Sequence, residues 1–297
     1  MWTPAGVRLV ALSGGPSPRG GIYRSFDQLT LNARAYDTGP FFVLAFRATM
    51  RDGTRSVVVE PCYAGAAREP LATGDRLGKD VVDDIAITQL GFALCCVIDV
   101  RRSKQRFKKA VMVHEATVVH ADALREGRQV PGLGQITCLL TPPAANMQAG
   151  VVALEFKGGR SGLAFGPILS DPEVFAKTGD PAPGLPNQYI QSFGPPVSNN
   201  GVLPTSLFGV VSRVGLSDGP EALWAGVFTQ QIPLGGEAIV PLIEGDSIDD
   251  RPDLIVRDFT PLKLTNSGTL LLRATLEQDG ASHQGLLLLD RLFDWLA

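Results

Sequence analysis

A Gly-centred turn that recurs five times constrains this chain more than any other feature of its sequence, because a repeat dictates the architecture before any single residue does. Short apolar segments end in Leu12-Ser13-Gly14-Gly15-Pro16, Ala72-Thr73-Gly74-Asp75, Arg125-Glu126-Gly127-Arg128, Lys177-Thr178-Gly179-Asp180-Pro181 and Ile243-Glu244-Gly245-Asp246, with spacings of 60, 53, 52 and 66 between successive glycines. A second marker follows each at Gly39, Gly91, Gly150, Gly201 and Gly268, offset by 25, 17, 23, 22 and 23 residues, and each opens a strongly apolar run. Two markers in step five times define a five-fold repeat.

A third marker is the hairpin dipeptide after that run: Asp52-Gly53, Gly158-Gly159, Asp218-Gly219 and Asp279-Gly280, residues that accept the positive φ of a tight β-turn. The second repeat has Arg101-Arg102-Ser103-Lys104-Gln105 there instead. The runs are short, rich in β-branched and aromatic residues and bounded by Gly, Pro, Asn or Asp, which predicts strands. Helical patterning is confined to one turn at Leu292 to Leu296. Five repeats of about four strands predict an all-β fold, a five-bladed β-propeller, which covers both faces of each small sheet. The whole chain, 1–297, reads as one domain with repeats starting near residues 7, 66, 116, 173 and 237. Val7 to Leu12 precedes the first turn with no blade of its own. It is expected to pair with Gly285 to Leu289, complete the last blade and close the ring.

The chain resembles the bacterial tandem-repeat propeller proteins of the NxxGxxxAF type. The resemblance is carried by Thr178-Gly179-Asp180-Pro181-Ala182-Pro183-Gly184 with Ser198-Asn199-Asn200-Gly201, by Thr265-Asn266-Ser267-Gly268 with Leu272-Arg273-Ala274, and by Leu44-Ala45-Phe46-Arg47-Ala48. It implies the propeller fold and brings no catalytic residues with it. That family usually carries an export signal and an anchor, and neither is seen in this sequence.

Charge and composition narrow the partners. With 27 Lys+Arg against 30 Asp+Glu the net charge is −3, so no global attraction to nucleic acid or to an anionic membrane operates. No apolar run approaches the roughly 20 residues that span a bilayer, and Met1-Trp2-Thr3-Pro4 does not open a signal peptide, which predicts a cytoplasmic protein. Cys62, Cys95, Cys96 and Cys138 lack CxxC spacing, so no disulfide framework and no zinc site is expected, and Cys95 and Cys96 read as small core residues.

Catalytic signatures fail on context. Gly215-Leu216-Ser217-Asp218-Gly219 matches GxSxG but lies between two strands, where it predicts a hairpin tip. Gly74 to Asp80 lacks the spacing and the hydroxyl of a phosphate loop. His114, Glu115 and His120 miss the HExxH spacing, and His283 sits beside a turn. No metal and no cofactor are expected. The acidic stretch Glu244, Asp246, Asp249, Asp250 and Asp253 lacks EF-hand order and reads as an exposed loop.

Two residue sets remain. Asp75, Arg128, Asp180 and Asp246 occupy equivalent turn positions, where the aspartates serve either their own turn or a shared ligand. Arg101, Arg102, Lys104, Arg106, Lys108 and Lys109 crowd six basic residues into nine in an acidic protein. Strand order puts this hairpin on the same face as the turns. It reads as a surface for an acidic protein partner, with nucleic acid conceivable only through residues 101–109 and a solvated hairpin tip as the plainer alternative. The expected function is a non-enzymatic interaction or scaffold module. Channel carboxylates such as Asp75, Asp180 and Asp246 would favour a propeller glycoside hydrolase or lyase, and matched aromatic platforms a lectin, although Trp2, Trp224 and Trp295 are not equivalent.

Overall fold

The computed structural model describes residues 9–31, 42–61, 66–87, 94–114, 117–145, 150–166, 173–199, 207–229, 238–265 and 267–293. These build five antiparallel sheets in a ring, a five-bladed β-propeller. The markers Gly39, Gly91 and Gly201, Cys62, and the residues after Phe293 lie outside the described set. No helix among the described residues is long and apolar enough to cross a membrane.

Blade one is β1 (Tyr23–Leu31), β2 (Phe42–Met50), β3 (Arg55–Pro61) and β4 (Arg68–Ala72). Blade two is β5 (Arg76–Leu77), β6 (Asp80–Ile87), β7 (Leu94–Arg102), β8 (Gln105–His114) and β9 (Thr117–Arg125). Blade three is β10 (Gln129–Val130), β11 (Gly134–Leu139), β12 (Ala144–Ala145), β13 (Gly150–Phe156), β14 (Arg160–Gly166) and β15 (Glu173–Lys177). Blade four is β16 (Ile190–Phe193), β17 (Val197–Ser198), β18 (Leu207–Leu216), β19 (Glu221–Thr229) and β20 (Ala238–Ile243). Blade five is β21 (Ser247–Ile248), β22 (Arg251–Leu264), β23 (Leu270–Gln278) and β24 (Ala281–Leu289). Each sheet thus comes from one continuous stretch of chain, with the strand nearest the axis first. In blades three and four that inner strand is broken into two pieces around Pro142, Pro143, Pro195 and Pro196, residues that cannot donate to a ladder.

The recurrent turn has one geometry in all five repeats. Gly14, Gly74, Gly127, Gly179 and Gly245 have φ between 83° and 101°, a region closed to most side chains, which is why the position is glycine each time. Each of these glycines donates its N–H to the inner strand of the next blade: to the carbonyls of Tyr23, Val82, Ile136, Ile190 and Val256, at 2.8 Å in every case. The residue before the glycine reaches back to the outer part of the preceding blade. Thr73, Glu126, Thr178 and Glu244 donate N–H to the carbonyls of Arg55, Lys108, Ser161 and Glu221. Their side chains accept from the N–H groups of the same four residues.

Burial follows the alternation of the strands. The central β13 is buried along nearly its whole length and pairs with β14 through seven residues without a register shift, from Gly150↔Gly166 to Phe156↔Arg160. Apolar side chains interlock between neighbouring blades: Val57 and Val59 with Val82 and Ile85, Cys95 and Val97 with Ile136 and Phe156, Val151 and Leu163 with Ile190 and Trp224, Leu223 and Val227 with Val256 and Phe259. Each fully buried side chain of this kind contributes about 1.5–3 kcal/mol. Cys95 and Cys96 are core residues, and burial pushes the Cys95 thiol up to about 12. Gly150, the second marker of repeat three, is glycine for a packing reason: a Cβ there would stand 2.7 Å from Cys95 Sγ.

The seam between blades five and one departs from expectation. Residues 9–12 form no strand, Val7 and Arg8 lie outside the described residues, and among the described residues β24 has β23 as its one strand neighbour. Among the described residues the first turn is held by β1, through Gly14 N–H and the Ser13 hydroxyl, which donates to the Arg24 carbonyl at 2.9 Å. Tyr23, Phe46, Ala48, Met50 and Val58 form a cluster inside blade one that takes in no described residue of blade five. At the C-terminal end Leu292 and Phe293 form a turn that packs into the core between blades four and five.

Candidate functional site

At one end of the ring the hairpins meet the inner strands beside the residues that hold the recurrent turns: Arg51, Lys157 and Ser217 donate N–H to the carbonyls of Ile22, Gln135 and Tyr189, next to Tyr23, Ile136 and Ile190, and Arg101 pairs with Val81, next to Val82. The basic hairpin β7–β8 and the turn residues Asp75, Arg128, Asp180 and Asp246 therefore do share a face.

The aspartates on that face serve their own turns. Asp75, Asp180 and Asp246 each accept, through Oδ2, the N–H of the residue three places earlier, Ala72, Lys177 and Ile243, at 2.8, 2.9 and 2.7 Å. Asp75 also takes a bidentate hydrogen bond from Arg19, a neighbour from the preceding turn. Arg128 completes the equivalent turn with its backbone, accepting Ile136 N–H at 2.8 Å. These four residues are spread around the ring, each within its own turn.

The six basic residues of the hairpin divide into two groups. Lys109 is 1% exposed, and its Nζ donates to Asp80 Oδ2 at 2.6 Å. Arg102 donates from Nε to the other oxygen of Asp80 at 2.6 Å and lies 5.3 Å above the Phe107 ring. Burial works to raise Asp80, and the hydrogen bonds from Arg102 and Lys109 overcome it, holding the carboxyl below its usual value. Lys109 is thus a structural cation, and the expectation that it contacts a partner is corrected: register places it inside the sheet, opposite Arg125. Arg102 is likewise committed to Asp80. Lys108 is half-buried beside Asp99, while Arg101, Lys104 and Arg106 stand at the exposed tip. Arg101 and Arg106 are 50% and 78% exposed and come no nearer than 3.8 and 3.7 Å to Asp83. Phe107 is half-buried, with the guanidinium groups of Arg102 and Arg125 at 5.3 and 5.6 Å from its ring centre.

At the opposite end of the inner strands a cavity of about 530 Å³ opens on the axis. All five blades line it, with Gln28 and Thr30, Ala86 and Ile87, Thr141 to Ala144, Pro196 to Ser198, and Leu262 with Lys263. Lys263 is the charged residue among the described lining, and burial lowers its ammonium from the usual lysine value. Gln28 has φ 47° and its side-chain oxygen accepts Ile87 N–H, tying blade one to blade two. Sequence reasoning missed Asp80, Gln28 and Lys263. A positive-φ Gln and a Lys among prolines leave no local pattern, and Asp80 meets its cations only through the pairing of three strands.

The remaining sequence candidates find ordinary places. Ser217 sits on the hairpin between β18 and β19, where its hydroxyl donates to Gln188 Oε1. His283 is exposed on β24, whereas the side chains of His114 and His120 lie outside the description. Asp253 pairs with Arg251 at 2.8 Å. Among the described residues no group of three or more His, Cys, Asp or Glu is placed to hold a metal ion.

No family model and no curated protein matches the chain. Among solved structures it is similar to a hypothetical protein from Leishmania major, at 10% identity and a TM-score of 0.29, over 90% of this chain and 86% of that one. A likeness of that size carries no argument.

Proposed function

We propose that the protein is a non-enzymatic interaction module that holds an acidic protein segment on its turn-bearing face through Arg101, Lys104 and Arg106. The observation that supports this reading is the division of the basic hairpin. Arg102 and Lys109 are locked onto Asp80 inside the blade, which fixes the strands from which the other three side chains project. A cationic tip on a rigid base loses little conformational freedom when it meets a carboxylate-bearing partner, and its long-range field speeds encounter. The glycosidase alternative needs two carboxyl groups about 5–9.5 Å apart across one cavity. The turn aspartates hold backbone instead, and the axial cavity is lined among the described residues by Lys263 and neutral groups. Nucleic acid is less suited, because the hairpin's one aromatic ring, Phe107, is half-buried and already packed with Arg102 and Arg125.

A fluorescent deca-glutamate peptide tests the reading by anisotropy at low and at physiological salt. The wild type is expected to bind, more weakly as salt rises. The triple variant R101E/K104E/R106E is expected to lose about tenfold or more in affinity, while K157E, on a neighbouring hairpin of the same face, stays within about twofold. Equal binding by the triple variant, or no binding by the wild type at low salt, overturns it.

A further inference from the structure

The outer edge of β24 is the position that the repeat leaves unfilled. In blades one to four the residue just before the recurrent turn pairs with the third long strand of the blade at one fixed place, the third residue after the hairpin glycine in three of them: Ala72↔Ser56, Arg125↔Lys109, Lys177↔Gly162 and Ile243↔Ala222. Next to it the turn residue clamps the same strand from both sides, with its N–H and its side chain. In the fifth case the turn is present and correctly bonded to β1, yet Ser13 makes neither contact with β24.

Both sides of the gap are apolar and uncovered. Leu9, Val10 and Leu12 are 71%, 38% and 59% exposed, and on β24 Leu286 and Leu288 are 68% and 66% exposed. Ala11 already packs against the blade-one cluster of Tyr23, Phe46 and Met50, so the segment runs along the seam.

We propose that residues 9–12 are a strap that docks on β24 as its missing neighbour, antiparallel, with Leu12 opposite His283. In that register Ser13 N–H donates to the Ser282 carbonyl and Ser282 N–H to the Ser13 hydroxyl, as Thr178 and Ser161 do in blade three. The docked strap pairs the open edge and draws blade five against blade one. The occupant is this chain's own segment because the turn that carries it is anchored one strand away on β1. A second copy would have to exchange straps to reach the same edge.

Cysteines report the register. In a chain with Cys62→Ser and Cys138→Ser, the pair Leu12→Cys/His283→Cys occupies a non-hydrogen-bonded site, where Cα atoms are about 4.5 Å apart and a disulfide forms readily. Mild oxidation is expected to cross-link it within the monomer and raise the melting temperature by about 5 °C. Leu12→Cys/Gln284→Cys, one residue out of register, is expected to stay reduced. Cross-linked dimers, equal reaction of both pairs, or no reaction of the first overturn the proposal. Hydrogen exchange gives a second reading without cysteines: amides on the outer edge of β24 should exchange about tenfold faster in the protein lacking residues 1–12, and unchanged exchange overturns it.

Discussion

The seam between blades four and five and the seam between blades five and one are built from the same strand positions and end differently. Counted from the hairpin glycine, Ala225 and Val227 on β19 correspond to Leu286 and Leu288 on β24. The first two are 0% and 5% exposed against Val256 and Phe259; the second two are two-thirds exposed. The alternating pattern is equally good in both strands, so the difference lies in what stands opposite. A period-two apolar face announces that something can cover it, and the cover has to come from elsewhere in the chain. The closed seam also has a fastening that the open one lacks among the described residues. Arg213 of blade four donates to the Phe259 carbonyl and pairs with Asp258 of blade five, just as Arg47 of blade one reaches the Ile85 carbonyl and Asp84 of blade two.

Substitutions can break or sharpen this contrast. The largest effect is expected away from the open seam, at the charge cluster that ties three strands of blade two together. Asp80→Asn leaves Lys109 buried without its counter-charge and should cost about 3–5 kcal/mol in urea unfolding at pH 7. Because the folded-state carboxyl of Asp80 lies below its ordinary value, its contribution is complete above that ordinary value and fades as pH falls through the folded one. The gap between wild type and variant should therefore narrow in acid; a constant gap would refute the ionic account. Leu223→Ala, in the closed seam, removes a fully buried side chain and should cost about 2–4 kcal/mol. Arg213→Met should cost about 1 kcal/mol, since the side chain is partly solvated and some of its packing is retained. Leu286→Ala, at the open seam, should change stability by no more than about 0.5 kcal/mol in the chain lacking residues 1–12, and by more in the full chain if the strap docks.

The fold was legible because its signals are local. A glycine at positive φ every blade, and Asp-Gly hairpins between apolar runs, are each fixed by a few neighbouring residues, and the structure has all five turns where the spacing predicts them. One boundary shifted at its far end: the fourth repeat's apolar run, expected over Val202 to Val211, continues as a strand to Leu216 because β19 pairs with it that far, while 202–206 lie outside the described residues. The charge of the hairpin at 101–109 was legible as composition but not as availability, since Asp80, some twenty residues upstream, binds two of its cations. The axial cavity was not legible at all. Its lining takes a few residues from each of five distant segments, none of which carries a motif.

The recurrent turn belongs to two sheets at once. Thr178 fastens it to β14 of blade three, and Gly179 and Asp180 fasten it to β16, which begins blade four. A lesion there removes bonds from both neighbours, so instability is passed around the ring instead of being confined to one repeat. The blades should melt in concert, with β24, which among the described residues has a strand on one side only, the first to fray once residues 1–12 are removed.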